Sequence, residues 1–446
     1  MMTQQREAKR ESAAPMPRPL ALVSLTSLLS LMSFPLFAAD IPGVGFRGDG
    51  SGKFPGATPP LEWSDTKNIK WRVEVGAAYS SPVVIGVPVE TGGLGRTWWK
   101  GLVLGKVFVT SEPDVLICID ANDGKILWQA SHGEKDLPAD VYADVKEFSE
   151  AKTLCGYAAP TPASDGQSVV ALFGTGLAAC YSTDGKRKWL RHIKPAPSRY
   201  GYSASPVIAD GKVLINVGVL TALDLANGKV LWTAPEAPMT FGTPAVTTVS
   251  GTRVAVTPLA QVVRILDGKL LARDIVADVG GDEYSISPLV EDGVAYFIDE
   301  TATAVKLTLK DDAVHAEKLW QQDLGGQFFA TPLCHDGLIF AIDKMAKYYV
   351  LDAKTGGKLL SKTLDLAPAG GASVTLSDAH VYPSVSLANG SIFLSNDKGE
   401  TFVLAARKEY KEQARNTLPD GAGATAAFAG GTIFMRSGKF LYCFGR

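Results

Sequence analysis

The stretch Gly201 to Trp232, GYSASPVIADGKVLINVGVLTALDLANGKVLW, decides the fold. An aromatic and a Ser-Pro step open it, an apolar run follows, Asp210-Gly211 reverses the chain, a second apolar run follows, and Gly228-Lys229 leads to Trp232. The apolar runs are β-branched or aliphatic, among them Val207, Ile208, Val213, Leu214, Ile215, Val219, Leu220 and Leu223. Asp210-Gly211 and Asn227-Gly228 supply the positive φ that tight hairpins need, so strand, turn and strand are set locally. Runs this apolar, with little alternation, suit strands buried on both faces. One sheet cannot bury both of its own faces, so the unit must stack on copies of itself, as propeller blades do.

The copies are present. Ser81-Pro82, Thr161-Pro162, Ser205-Pro206, Thr243-Pro244, Ser287-Pro288 and Thr331-Pro332 repeat the opening, with Tyr382-Pro383 as a degenerate copy in which the aromatic replaces the hydroxyl residue. Most spacings are near 44 residues, as expected for a four-stranded blade. Gly-Lys-x-x-Trp closes units at Trp128, Trp189 and Trp232, decays to Gly268–Ala272 and Gly356–Leu360, and Trp320 ends a unit without the glycine. An eighth unit, from about Gly421 to Phe444, runs out of chain before its closing strand, while Ile69 to Val75 is a closing strand with no opening half. The two fragments complete each other. The expectation is an all-β, eight-bladed β-propeller of four-stranded antiparallel blades, with a ring closed by the N-terminal strand so that no sheet edge is left open.

At 446 residues, with 46% hydrophobic and 20% charged side chains, the chain has ample material for a large core. Its net charge of −2 and the lack of Lys/Arg-rich runs give no support to nucleic-acid binding. Leu20 to Ala38, preceded by Arg6, Lys9, Arg10 and Arg18 and ending at Ala38-Ala39-Asp40, reads as a secretory signal over residues 1–39. The competing reading is an uncleaved membrane anchor. No cysteine follows the apolar run, which disfavours a lipid anchor and leaves no transmembrane segment once the signal is cleaved. Residues 40–61, rich in Gly and Pro, form an extended arm across the propeller that occupies 62–446. Within the arm, GDGSGK (Gly48 to Lys53) fails as a phosphate loop: Arg47 stands where the first glycine is required and Phe54 where a Ser or Thr would meet magnesium.

Val87 to Gly105, carrying Trp98-Trp99, and Ser131 to Gly156, with VYADVKEFSEAK as a short helix, are insertions. Either marks a binding loop or covers a neighbouring apolar patch. The expansion APAGGASVTLSDAH after Leu366 is a third. Cys118, Cys155, Cys180, Cys334 and Cys443 have no C-x-x-C spacing; most sit in apolar runs, and Cys155 alone is placed for pairing in an oxidising compartment. The five histidines are isolated, and no HExxH or G-x-S-x-G motif appears.

The segments LICIDANDGKILW, LTALDLANGKVLW and YYVLDAKTGGKLL, with the aromatic-Ser-x-Ser-Pro openings, resemble the PQQ-like (quinoprotein-type) repeat family. Its members include the envelope scaffold BamB and the PQQ-dependent alcohol dehydrogenases. The resemblance covers the chain from about Leu61 and implies an eight-bladed propeller in which Trp71, Trp128, Trp189, Trp232 and Trp320 dock each blade on the next. In the dehydrogenases it also implies adjacent cysteines over the quinone and acidic calcium ligands. This chain has no Cys-Cys pair, so no cofactor is expected: PQQ and calcium are disfavoured, and no catalytic or metal residue is assigned.

The aromatics that precede the inner strands, Tyr79, Tyr157, Tyr202, Phe241, Tyr284 and Phe329, fall near the mouth of the central channel of such a fold. They either ring a ligand such as a sugar or pack between inner strands. Asp282, Glu283 and Arg199 would add polar groups there. The reading is a periplasmic or secreted monomer, a non-catalytic binding or assembly scaffold of the bacterial envelope whose partner is an envelope protein or a carbohydrate. A PQQ- and calcium-dependent alcohol or sugar dehydrogenase and a carbohydrate-binding propeller are the alternatives.

Overall fold

The computed structural model describes residues 44–88, 102–150, 155–195, 198, 200–277, 279, 286–364, 380–421 and 423–446. The signal segment, the Trp98-Trp99 loop, Arg199, Asp282, Glu283, Tyr284 and the expansion after Leu366 as far as Ala379 lie outside them.

Eight four-stranded antiparallel sheets form the blades of a β-propeller. Blade 3 shows the local logic. Its innermost strand, Val207–Ala209, pairs with Lys212–Asn216 in the register Val207↔Leu214 and Ala209↔Lys212, which leaves Asp210-Gly211 as a two-residue loop. Both loop residues have positive φ, 49° and 70°, the turn whose twist matches right-twisted strands. Asp292-Gly293, Asp336-Gly337 and Asn389-Gly390 repeat it in blades 5, 6 and 7. The second and third strands of blade 3 are buried almost throughout, whereas the outermost, Val230–Pro238, is mostly exposed. Stacking with neighbouring blades covers both faces of the inner strands, and the outer edge meets solvent.

Blade 8 is composite. Ala427–Ala429, Thr432–Ser437 and Phe440–Gly445 come from the end of the chain, and Ile69–Glu74 supplies the outermost strand, with Trp71 opposite Cys443 and Val73 opposite Leu441. Joining the first strand to the last sheet closes the ring and removes two free edges. In blade 5 the outer hairpin is long, Thr301–Lys310 with Ala313–Asp323, and it packs Leu307 and Val314 over the core of blade 4, whose outer strands Val262–Arg264 and Leu270–Ala272 are short. At its tip Asp312 receives Arg264 at 2.5 Å and Lys269 at 2.6 Å from blade 4.

We call upper the face at which each innermost strand begins, and lower the face of the first hairpin turns. Helix α1, Ala139–Glu150, belongs to the insertion between blades 1 and 2; it begins two residues before the expected segment and packs Val141 and Val145 on the core of those blades. The arm crosses the lower face. Val44 bridges Ser164 of blade 2, Lys53 bridges Leu387 of blade 7, and the Thr58 amide donates to Gly430 of blade 8.

Candidate functional site

The upper mouth of the channel is built on a closed ring of hydroxyls. The backbone N–H of Ser81 donates to Thr161 Oγ1, that of Thr161 to Ser205 Oγ, and that of Ser205 to Thr243 Oγ1, each at 3.0 Å. Thr243 continues to Ser287, Ser287 to Thr331, Thr331 to Ser384, Ser384 to Thr425, and Thr425 back to Ser81. Each blade thus satisfies one backbone donor of its predecessor, at a point where the chain enters the core and no strand partner is available. Six members are the Ser or Thr of the repeated Pro step. The other two correct the sequence reading. The hydroxyl of blade 7 is Ser384, after the proline, so Tyr382 does not replace it, and blade 8 contributes Thr425 with no proline.

Counting back from this ring sorts the candidate aromatics. Tyr79, Phe241, Phe329 and Tyr382 stand two residues before their hydroxyl; Tyr202 stands three before and Tyr157 four before. Extended chain alternates its side chains, so the three-residue offset turns Tyr202 away from the two-residue positions. Tyr79 is 51% exposed and Tyr382 45%, with Phe241 and Phe329 half-buried; Tyr202 is 1% exposed and Tyr157 7%. Tyr202 packs with Val213, Ile215 and Val217 in the core between blades 2 and 3, and burial pushes its phenol up to about 12. Burial thus places Tyr79, Phe241 and Phe329 at the mouth and Tyr157 and Tyr202 in the core, with Tyr284 outside the described residues. Phe329 and Tyr382 stack at 5.2 Å with planes 11° apart, and Tyr200 meets Phe241 edge-on at 5.9 Å.

Polar side chains on blades 1 and 8 are buried or half-buried. The Glu112 carboxylate accepts the Tyr157 amide at 2.8 and 3.0 Å and the Ala158 amide at 2.8 Å; burial raises its pKa despite those bonds. Arg436, buried, donates to the carbonyls of Gly76, Ala78 and Thr110, and desolvation lowers it to about 10. His132 places Nδ1 2.8 Å from the Asp114 carbonyl, which requires a proton there, and leaves Nε2 to accept from the Tyr181 hydroxyl at 2.9 Å. Burial holds it below the usual imidazole value.

Sequence reasoning gave no role to Arg47. The arm sends its guanidinium up between blades 6 and 7, where Nη2 donates to the carbonyls of Pro332 at 2.6 Å and Val385 at 3.0 Å, one residue past the hydroxyl ring. Desolvation lowers it to about 9. The GDGSGK segment is a compact turn wrapped about this arginine, with the Gly50 and Gly52 amides donating to the Arg47 carbonyl. Beside it a cavity of about 250 Å³ opens between the arm and blades 2 to 6, and its lining includes Lys53 and Glu291, which pair at 2.8 Å.

The family model described as outer membrane protein assembly factor BamB matches residues 64–243 and 216–444, which together run through nearly the whole propeller. The chain belongs to this BamB family. BamB of Yersinia pestis is 24% identical over 288 residues, 60% of this chain, and the chain spans 66% of that relative's length. The crystal structure of BamB from Moraxella catarrhalis superposes with a TM-score of 0.54 at 12% identity, over 84% of this chain and 98% of the other. The computationally designed protein Ika8 does so with a TM-score of 0.53 at 10% identity, over 87% and 100%. At such identities the two structures speak for the fold alone.

Within this BamB-family propeller the five tryptophans lie at blade junctions. The indoles of Trp71, Trp128, Trp189, Trp232 and Trp320 donate to the carbonyls of Ala121, Thr183, Leu225, Ile265 and Ala353, each in the next blade, at 2.9–3.1 Å. All five cysteines are free, and burial raises four of them, Cys118, Cys180, Cys334 and Cys443, to about 12. Among the described residues no three His, Cys, Asp or Glu side chains converge as metal ligands.

Proposed function

We propose that this protein is a non-catalytic scaffold of the bacterial envelope, working in the periplasm in outer membrane protein assembly. The match to the outer membrane protein assembly factor BamB across residues 64–444 carries the reading. Two physical features support it. The repeat face is held by a hydroxyl ring and buried arginines that satisfy backbone groups, which is the chemistry of a rigid frame. The outer edge strands remain open to solvent and carry exposed aliphatics, Ile126 and Leu127 in blade 1 and Val230 and Leu231 in blade 3, where a protein strand or loop can dock. A complementation experiment tests this. Directed to the periplasm of a BamB-deficient bacterium, the chain is expected to restore the outer-membrane permeability barrier and the level of assembled β-barrel proteins. A stable, correctly exported chain that restores neither would overturn the reading.

A further inference from the structure

Tyr79 and Tyr382 are the only exposed aromatic rings among the side chains described. They occupy the same repeat position in blades 1 and 7. In blade 8, between them, that position is Gly423. A Cβ placed on Gly423 would stand 3.4 Å from the Tyr79 ring and 3.7 Å from Tyr382 Cβ, and its φ of 62° disfavours any side chain. The missing side chain lets the Tyr79 ring lie against the Gly423 backbone, next to Tyr382. Phe329 of blade 6 stacks behind Tyr382, so blades 6, 7 and 1 bring a phenyl and two phenols to the upper mouth, with Gly423 of blade 8 between the phenols.

The surroundings of this track are polar. His380 lies 5.7 Å from the Tyr382 ring with its amide on Asp397, and Lys344, 5.9 Å from the Phe329 ring, bonds Gln327 at 2.6 Å. The exposed aliphatics lie instead on outer strands and their turns, at Val230, Leu231, Leu266 and Leu359 among others. A protein partner needs an apolar patch that closes dry, which the described residues of this mouth do not form. A cationic ligand would meet Lys344. A sugar ring has one face of C–H groups and a rim of hydroxyls, which matches aromatic faces edged by an imidazole, an amide and an ammonium.

We propose that the upper mouth binds a neutral oligosaccharide of pyranose units, one sugar ring stacked on Tyr79 and one on Tyr382. The site is separate from the assembly role and stands or falls without it.

Saturation-transfer NMR and calorimetry on the purified mature chain, with chitohexaose, cellohexaose and maltohexaose as probes, test this. Saturable binding of at least one hexasaccharide is expected, with transfer strongest at ring C–H protons. Tyr79→Ala and Tyr382→Ala should each weaken it about fivefold, while Tyr382→Phe keeps it. Leu266→Ala, on the outer surface, should change nothing. Both tyrosines are surface residues, so the variants are expected to melt with the parent protein. No binding of any probe at millimolar sugar, or equal binding by the Tyr79→Ala/Tyr382→Ala double variant, would overturn the site.

Discussion

The indole of Trp189 lies flat across Gly228 of the next blade: a Cβ there would come within 2.6 Å of Trp189 Cδ2, and Nε1 donates to Leu225 O at 2.9 Å. The same Trp-over-Gly contact joins Trp71 to Gly124, Trp128 to Gly185, Trp232 to Gly268 and Trp320 to Gly356. The Gly of one closing motif thus receives the Trp of the previous one, and this is why the motif pairs the two residue types. Gly228→Ala is expected to cost about 2–4 kcal/mol, combining overlap with Trp189 and a φ of 71°. Gly211→Ala has a similar φ of 70° and nothing within 4 Å, so it should cost only about 1 kcal/mol. Equal losses in denaturant unfolding would show that the Trp contact contributes nothing.

The hydroxyl ring yields a second expectation. Ser205→Ala strands the buried Thr161 amide and should destabilise the fold by about 1–3 kcal/mol, while Ser205→Thr keeps an acceptor and recovers most of the loss. Amide exchange at Thr161 reads the effect locally. Unchanged protection at that amide would contradict the role given to the ring.

Arg47 pins the arm. Arg47→Ala removes both charged hydrogen bonds, to Pro332 and Val385, and is expected to speed hydrogen exchange about tenfold or more at the Phe54 and Leu387 amides, which pair arm and blade 7. Exchange as slow as in the parent would mean the arm is held by Phe54 and Trp63 packing alone.

Acidification should destabilise the protein through its histidines. Burial lowers the pKa of His132 and of His192 from 6.5, so the unfolded chain takes up protons below that value before the folded chain does. Stability is then lost as pH falls from about 7 towards 5. Glu112 and Asp114 act with the opposite sign, because burial raises both and the folded chain binds those protons first, nearer the carboxylate range. Melting temperature followed from pH 7.5 to 5.5 should drop, and less so in His132→Gln. A flat profile would contradict the buried neutral imidazole.

The fold was legible because each level of the repeat is local. Asp-Gly loops, apolar runs and the orphan strand at Ile69 state the hairpins, the stacking and the closure without long-range information. The mouth was less legible for a physical reason: the offset between aromatic and hydroxyl varies from two residues to four, so a shared motif puts Tyr79 in solvent and Tyr202 in the core. Ser384 and Thr425 were hidden because the proline that marked the other ring members is absent after them. Arg47 carried no signal, since an arginine in a Gly-rich arm reads as solvated until the carbonyls of Pro332 and Val385 are brought to it.

The most direct test of the scaffold account is to capture native complexes from bacterial envelopes with the tagged chain under mild detergent and identify them by mass spectrometry, alongside a melting-temperature titration with PQQ and calcium. The account expects outer membrane assembly proteins, retained at physiological salt, and no thermal shift with the quinone. Envelopes that yield no assembly component, together with saturable quinone stabilisation and dye-linked oxidation of an alcohol or sugar, would contradict it.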